Sequence, residues 1–161
     1  MITRAGAPVT LEAHGLRIEL PRGWSGRLFR RTGTVATLHA ANFALPLRDG
    51  EFGDGSTAAM PAGGVFLALT EYATGTGLEP GRGLFAAKRI GLPLDPTQLG
   101  HDRLAHPRPG QVGMQHFFTS AGRPLCLYVV LCGDRAGRRR QLAVANHVLG
   151  SLRVSAPSPA R

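Results

Sequence analysis

VGMQHFFTSAGRPLCLYVVL, residues 112–131, decides the fold class. Val112 to Thr119 and Pro124 to Leu131 read as strands, and Ser120-Ala121-Gly122-Arg123 separates them at hairpin spacing. The second run, LCLYVVL, is apolar at consecutive positions, so it is expected to be covered on both faces and to lie centrally in its sheet. VFLALTEY, Val65 to Tyr72, has the same character for five residues before turning polar, and it predicts a second central strand.

Working outward, Asp134 is positioned to cap a helix running to about Leu152. Leu142, Ala145, Val148, Leu149 and Leu152 recur at three- and four-residue steps and form one apolar stripe, with Arg138, Arg139 and Gln141 expected to point away from it. Toward the N-terminus, Val35 to Ala41 predicts a strand, and Leu16-Arg17-Ile18-Glu19-Leu20 alternates as a half-buried strand does. Pro21-Arg22-Gly23 breaks that run. The chain restarts at Trp24, and Leu28 and Phe29 suggest a strand expected to pair with the previous one. Residues 1–13 read as an extended leader with little periodicity, and Leu84 to Ile90 as a short strand. Single helical turns are expected at Ser56 to Met60 and at Asp95-Pro96-Thr97-Gln98-Leu99, the latter from an N-cap followed by a first-turn proline. The sum is an α+β domain, residues 1–154, with a mainly antiparallel sheet of about six strands and a long C-terminal helix packed on it. The Pro/Ser-rich end, residues 155–161, is expected to be a flexible tail.

The 161 residues are 43% hydrophobic and 18% charged, as a globular chain should be. No run approaches the ~20 apolar residues of a membrane helix. Met1 to Gly15 lacks a long apolar core and holds Pro8, Glu12 and His14, so a cytoplasmic location is expected. The net charge of +9 favours an acidic partner. Lys88 is the only lysine, however, and arginine with abundant Ala, Gly and Pro is what GC-rich coding writes into any protein. Cys126 and Cys132 fit neither a redox pair nor a zinc knuckle and read as small buried hydrophobes.

Leu20-Pro21-Arg22-Gly23-Trp24, a strand ending in the pattern LP.GW, resembles the opening hairpin of the Mog1/PsbP-like group. The close of the chain, Val148-Leu149-Gly150-Ser151-Leu152-Arg153-Val154, resembles that group's last helix with its apolar-Ser-apolar step. The resemblance covers roughly the two ends. It implies an antiparallel sheet flanked by helices and a protein that binds rather than catalyses. The group includes a partner of a nuclear-transport GTPase, a photosystem extrinsic subunit, bacterial lipoproteins and chaperone-adaptors for secreted toxins. It shares no catalytic residues, and the lipobox cysteine of its lipoprotein members is not found here.

Candidate chemistry is sparse. His101 and His106 share a proline-rich loop with Asp102, but a metal site needs converging ligands with a fixed second shell, and a loop pattern alone supplies neither. His39 and His116 fall in predicted strands. Asp49 to Gly55 looks like a calcium loop but has Asp54 and Met60 where an EF-hand needs Gly and Glu. Gly75 to Gly81 is too long for a dinucleotide fingerprint. Ser25, Ser56, Ser120 and Ser151 sit in no nucleophile elbow, and a mid-strand Cys126 should have a raised thiol pKa. No enzyme, metal or cofactor is therefore expected. Two arginine clusters remain, Arg27, Arg30 and Arg31, and Arg138, Arg139 and Arg140, the second opening a helix against its macrodipole. Nucleic acid is not the expected partner, because only Phe29 interleaves an aromatic ring with them. Phe43, Leu45 and Leu47 alternate just beyond a strand and, if exposed, mark a binding surface. The function expected is that of an adaptor, chaperone or structural component binding an acidic partner protein through these residues. The competing reading is a small-ligand or lipid carrier with a cavity between sheet and helix.

Overall fold

The computed structural model describes residues 7–30, 35–75 and 77–156. Its strands are β1 (Val9–Ala13), β2 (Leu16–Leu20), β3 (Ser25–Arg30), β4 (Ala36–Ala41), β5 (Val65–Glu71), β6 (Gln111–Ser120), β7 (Arg123–Cys132) and β8 (Arg153–Val154). The helices are α1 (Asp54–Ala58) and α2 (Arg138–Gly150). The α+β class is as expected, but the strands form two antiparallel sheets rather than one of about six. One has the order β1-β2-β8 and the other β3-β4-β5-β7-β6.

The β6–β7 hairpin closes through Ala121 and Gly122, both at positive φ (50° and 73°). Two such residues form the turn whose twist matches that of the flanking strands. β7 lies between β5 and β6, buried along nearly its whole length, as its continuous apolar run requires. The hairpin expected between β2 and β3 does not form. Trp24 closes a turn onto the Pro21 carbonyl (3.2 Å), and the chain passes there from the first sheet to the second. β2 instead pairs with β1, through a His14-Gly15 turn at φ 55° and 73°, and with β8. The residues read as leader therefore include a strand. The strand expected at Leu84 to Ile90 is a single helical turn, Gly83–Phe85, whose buried Phe85 packs edge-on to Phe117.

One face of the five-stranded sheet carries Leu38, Leu67, Leu69, Leu127 and Val129 against Leu142, Ala145, Val148 and Leu149 of α2 and Leu16, Ile18 and Leu20 of β2. Full burial of each large aliphatic side chain contributes about 1.5–3 kcal/mol. The other face carries Phe66, Ala68, Tyr128 and Val130, and the segment 42–62 covers it. The helix ends at Gly150, and the Ser151 hydroxyl accepts from the Glu19 amide (2.9 Å), stitching the helix end to β2. Gln141 does not point away from the sheet. It is buried and donates to the Gly64 and Cys132 carbonyls (3.0 and 2.8 Å), tying the first turn of α2 to the ends of β5 and β7. Asp134 accepts from the Gly137 amide and so caps the turn before α2, not the helix itself. Among the described residues no helix is long and apolar enough to cross a membrane.

Candidate functional site

β3 is an edge strand, and its alternation sets Arg27 and Phe29 opposite His39 and Thr37 of β4 on the face away from α2. The segment after β4 is fixed over that face at three points and braced within itself at a fourth, Asp49. Asn42 accepts from the Val65 amide (2.7 Å) and donates to the Gly63 carbonyl (3.0 Å). Arg27 Nη1 donates to the Pro46 carbonyl (2.6 Å). The Asp49 carboxylate accepts from the amides of Gly50, Gly55 and Ser56, each at 2.8 Å, and from the Ser56 hydroxyl. The Glu51 carbonyl accepts from His39 Nε2 (2.9 Å) and the Thr70 hydroxyl (3.2 Å). A carbonyl can only accept, so the Nε2 of His39 carries a proton.

Asp49 thus satisfies amides at the start of α1. Burial draws the Asp49 carboxyl upward, but the hydrogen bonds from Ser56, Gly55 and Gly50 outweigh it and hold it below its ordinary value. A carboxyl depressed in the folded state stabilises above its unfolded pKa, and that contribution is lost as pH falls through the lower folded value. Asp49→Ala is expected to cost about 1–2 kcal/mol at pH 7, by the loss of a helix cap. In urea titrations the gap to the parent should close below about pH 4.

Between these anchors the loop divides its three apolar residues. Phe43 and Leu45 are half-buried and pack on the core of Phe66, Ala68 and Tyr128. Leu47 is 98% exposed. A groove of about 400 Å³, open to solvent, lies between this tip and the sheet edge, lined by Arg27, Phe29, Leu47, Arg48 and Asp49. The Arg27 guanidinium sits 5.5 Å over the Phe29 ring, and its Nε and Nη2 are buried without a hydrogen-bond partner.

Of the residues expected in the site, Arg27 and Leu47 meet in this groove. Arg30 shares β3 but alternates onto the opposite face, where its charge draws on Glu71. Arg31 lies outside the described residues. Arg138, half-buried, and the exposed Arg139 and Arg140 begin α2, on the far face of the sheet. Arg48, exposed beside Leu47, belongs to the groove and was missed; its adjacency to the apolar run was the available signal.

The histidines stay apart. His39 is fully buried, with the Phe29 and Phe66 rings each 5.2 Å away edge-on. His101 and His116 donate to the carbonyls of Gln111 and Arg89, and exposed His106 meets Asp54 at 2.9 Å. Among the described residues no three of His, Cys, Asp and Glu gather to hold a metal ion. The Cys126 thiol is pushed up to about 12 by burial, well outside the range of a nucleophile. Between the sheet and α2, Leu142, Ala145, Val148 and Leu149 are each no more than 3% exposed. No family model, curated protein or solved structure matches the chain.

Proposed function

We propose that this chain is a non-enzymatic binding module, an adaptor, chaperone or structural component of a larger bacterial assembly, that docks another protein on the Leu47 tip. The observation that carries the reading is a leucine at 98% exposure, flanked by arginines and held out by an anchored loop. A lone exposed leucine is ordinary; one beside a groove with an aromatic wall and a guanidinium floor has the composition of an interface anchor. The close packing between α2 and the sheet favours docking over the carrier reading, which needs an apolar cavity there. The proposal includes a cytoplasmic location and an acidic partner surface, steered by the net charge of +9. It also includes a Mog1/PsbP-like fold, supported by the Pro21–Trp24 turn after β2 and by the Ser151 stitch between α2 and β2.

The test is a photo-crosslinking residue installed at position 47 of the intact chain in its host, with exposed Leu84 as control. A discrete protein adduct at 47 and none at 84 is expected. Leu47→Asp should weaken binding of that protein by about 30-fold, the effect of a hot-spot residue. Its melting temperature should stay unchanged, because a fully exposed side chain adds little to stability. No adduct at 47, or undiminished binding by Leu47→Asp, would sink the proposal.

A further inference from the structure

The five-stranded sheet treats its two edges differently. β6 is covered: Gly113 exchanges backbone hydrogen bonds with Gly100 (2.9 and 3.0 Å), and the Thr119 amide donates to the Ala87 carbonyl (2.7 Å). At the other edge, among the described residues, no backbone hydrogen bond from outside the sheet reaches Ser25–Arg30. Leu11 of β1 and Leu20 of β2 crowd Gly26 on the opposite face at the start of β3, while Arg27 and Phe29 line the groove. An uncovered edge presents a row of amides and carbonyls to any extended chain.

We propose that β3 accepts an extended acidic segment of the partner protein by strand addition, with alternate side chains entering the Arg27–Leu47 groove. This rests on the docking reading above and specifies how the partner is held. Three features select the occupant. A strand laid along β3 sends every second side chain to the face of Arg27 and Phe29, so the groove reads a period of two. A carboxylate there meets exposed Arg48 and the positive charge of the Arg27 guanidinium that lines the groove over Phe29. An apolar residue at the next inward position meets Phe29 and Leu47. The same arginines exclude a second copy of this chain. Two edges that each carry Arg27 and Arg30, on chains of +9, repel each other.

The experiment uses the full chain and three capped eight-residue peptides: a Glu/Val peptide, Glu-Ser-Val-Ser repeated so that Glu and Val fall at successive inward positions, a Lys/Val peptide with Lys in place of Glu, and the Glu/Val peptide N-methylated at alternate residues. NMR reads backbone amide shifts and exchange rates across the protein. The Glu/Val peptide should bind saturably, shift the Ser25–Arg30 amides and slow their exchange, while β6 amides stay unchanged. Replacing Glu by Lys, or N-methylating the edge that faces β3, should each weaken binding by at least about tenfold. Four outcomes overturn strand addition: no saturable binding, equal binding of the Lys/Val peptide, indifference to N-methylation, or dimerisation of the free chain through β3. In each of these, an adduct at position 47 leaves the docking reading intact; loss of that adduct as well removes both.

Discussion

Arg123→Ala is expected to lower stability by about 3–5 kcal/mol, the cost of breaking a buried ion pair from one side. At ~2–4 °C per kcal/mol for a chain of this size, the melting temperature should fall by roughly 6–20 °C. Arg123 is 1% exposed and Glu71 9%. The pair is bidentate, Nε to Oε1 at 2.9 Å and Nη2 to Oε2 at 2.8 Å. Oε2 also accepts from the Ala36 amide (3.1 Å), and Arg123 Nη1 donates to the Ser155 carbonyl (3.1 Å). The ion pair therefore joins the first residue of β7, the last of β5, the first of β4 and the residue after β8, which belongs to the other sheet. Alanine would leave the Glu71 carboxylate buried without its cation, whereas a well-packed apolar pair, Glu71→Leu with Arg123→Met, should recover most of the loss.

The pH dependence distinguishes this from a packing defect. Burial draws the Glu71 carboxyl upward, but the hydrogen bonds from Arg123 and the Ala36 amide and the charges of Arg123 and Arg30 outweigh it and hold it low. The folded pKa lies below the unfolded one, so the pair stabilises at neutral pH and its contribution is lost as pH falls through the folded value. In Arg123→Ala burial is opposed only by the Ala36 amide and the Arg30 charge, the folded pKa rises, and acidification costs the variant less than the parent. The difference between parent and variant in urea titrations should accordingly shrink from pH 7 to about pH 3.5. A constant difference would mean that lost packing, not charge, is what alanine removes.

The sheet's interior was legible because its signals are local. β5 and β7 announce themselves as apolar runs, and Ala121-Gly122 sits where a two-residue turn must be. Val9-Thr10-Leu11-Glu12-Ala13 carries the same alternation as β2, and its partner register was available through His14-Gly15. It was overlooked because neither Asn-Gly nor Asp-Gly marks the turn. The division into two sheets was not legible, since it depends on where the Pro21–Trp24 turn sends the chain, a tertiary outcome. The same is true of Arg123 and Glu71, which are 52 residues apart, and of Gln141, whose polarity predicts an outward face while two carbonyls hold it inward. At the candidate site, the alternation of Phe43, Leu45 and Leu47 picked out a segment that ends in an exposed leucine. It could not tell which residue would be exposed. The segment is a loop, not a strand, and Arg27 holds it at Pro46, so the first two residues turn in and the third turns out.

Gly53→Ala is expected to damage both stability and docking, because Gly53 leaves no room for a β-carbon beside the buried Phe66 ring. Its φ is 71°, and a β-carbon there would lie 2.1 Å from Phe66 Cζ and 2.5 Å from Cε1. Left-handed backbone costs an alanine about 1–2 kcal/mol. Overpacking adds about 1–3 kcal/mol, and Phe66 has little room to yield, being fully buried with His39 edge-on to its ring. The total is about 2–5 kcal/mol if the loop stays in place. The loop has a cheaper route, which is to lift. Lifting draws the Glu51 carbonyl from His39 and Thr70, and Asp49 from the amides of α1, so Leu47 and Arg48 lose their fixed position beside Arg27. Gly50→Ala is the control, since nothing lies within 4 Å of a β-carbon at that position in the same loop. Limited proteolysis between residues 42 and 60 should accelerate in Gly53→Ala and not in Gly50→Ala, and partner binding should fall only in the first. Were Gly53→Ala to lose stability yet keep full binding, the anchored position of Leu47 would have no part in recognition.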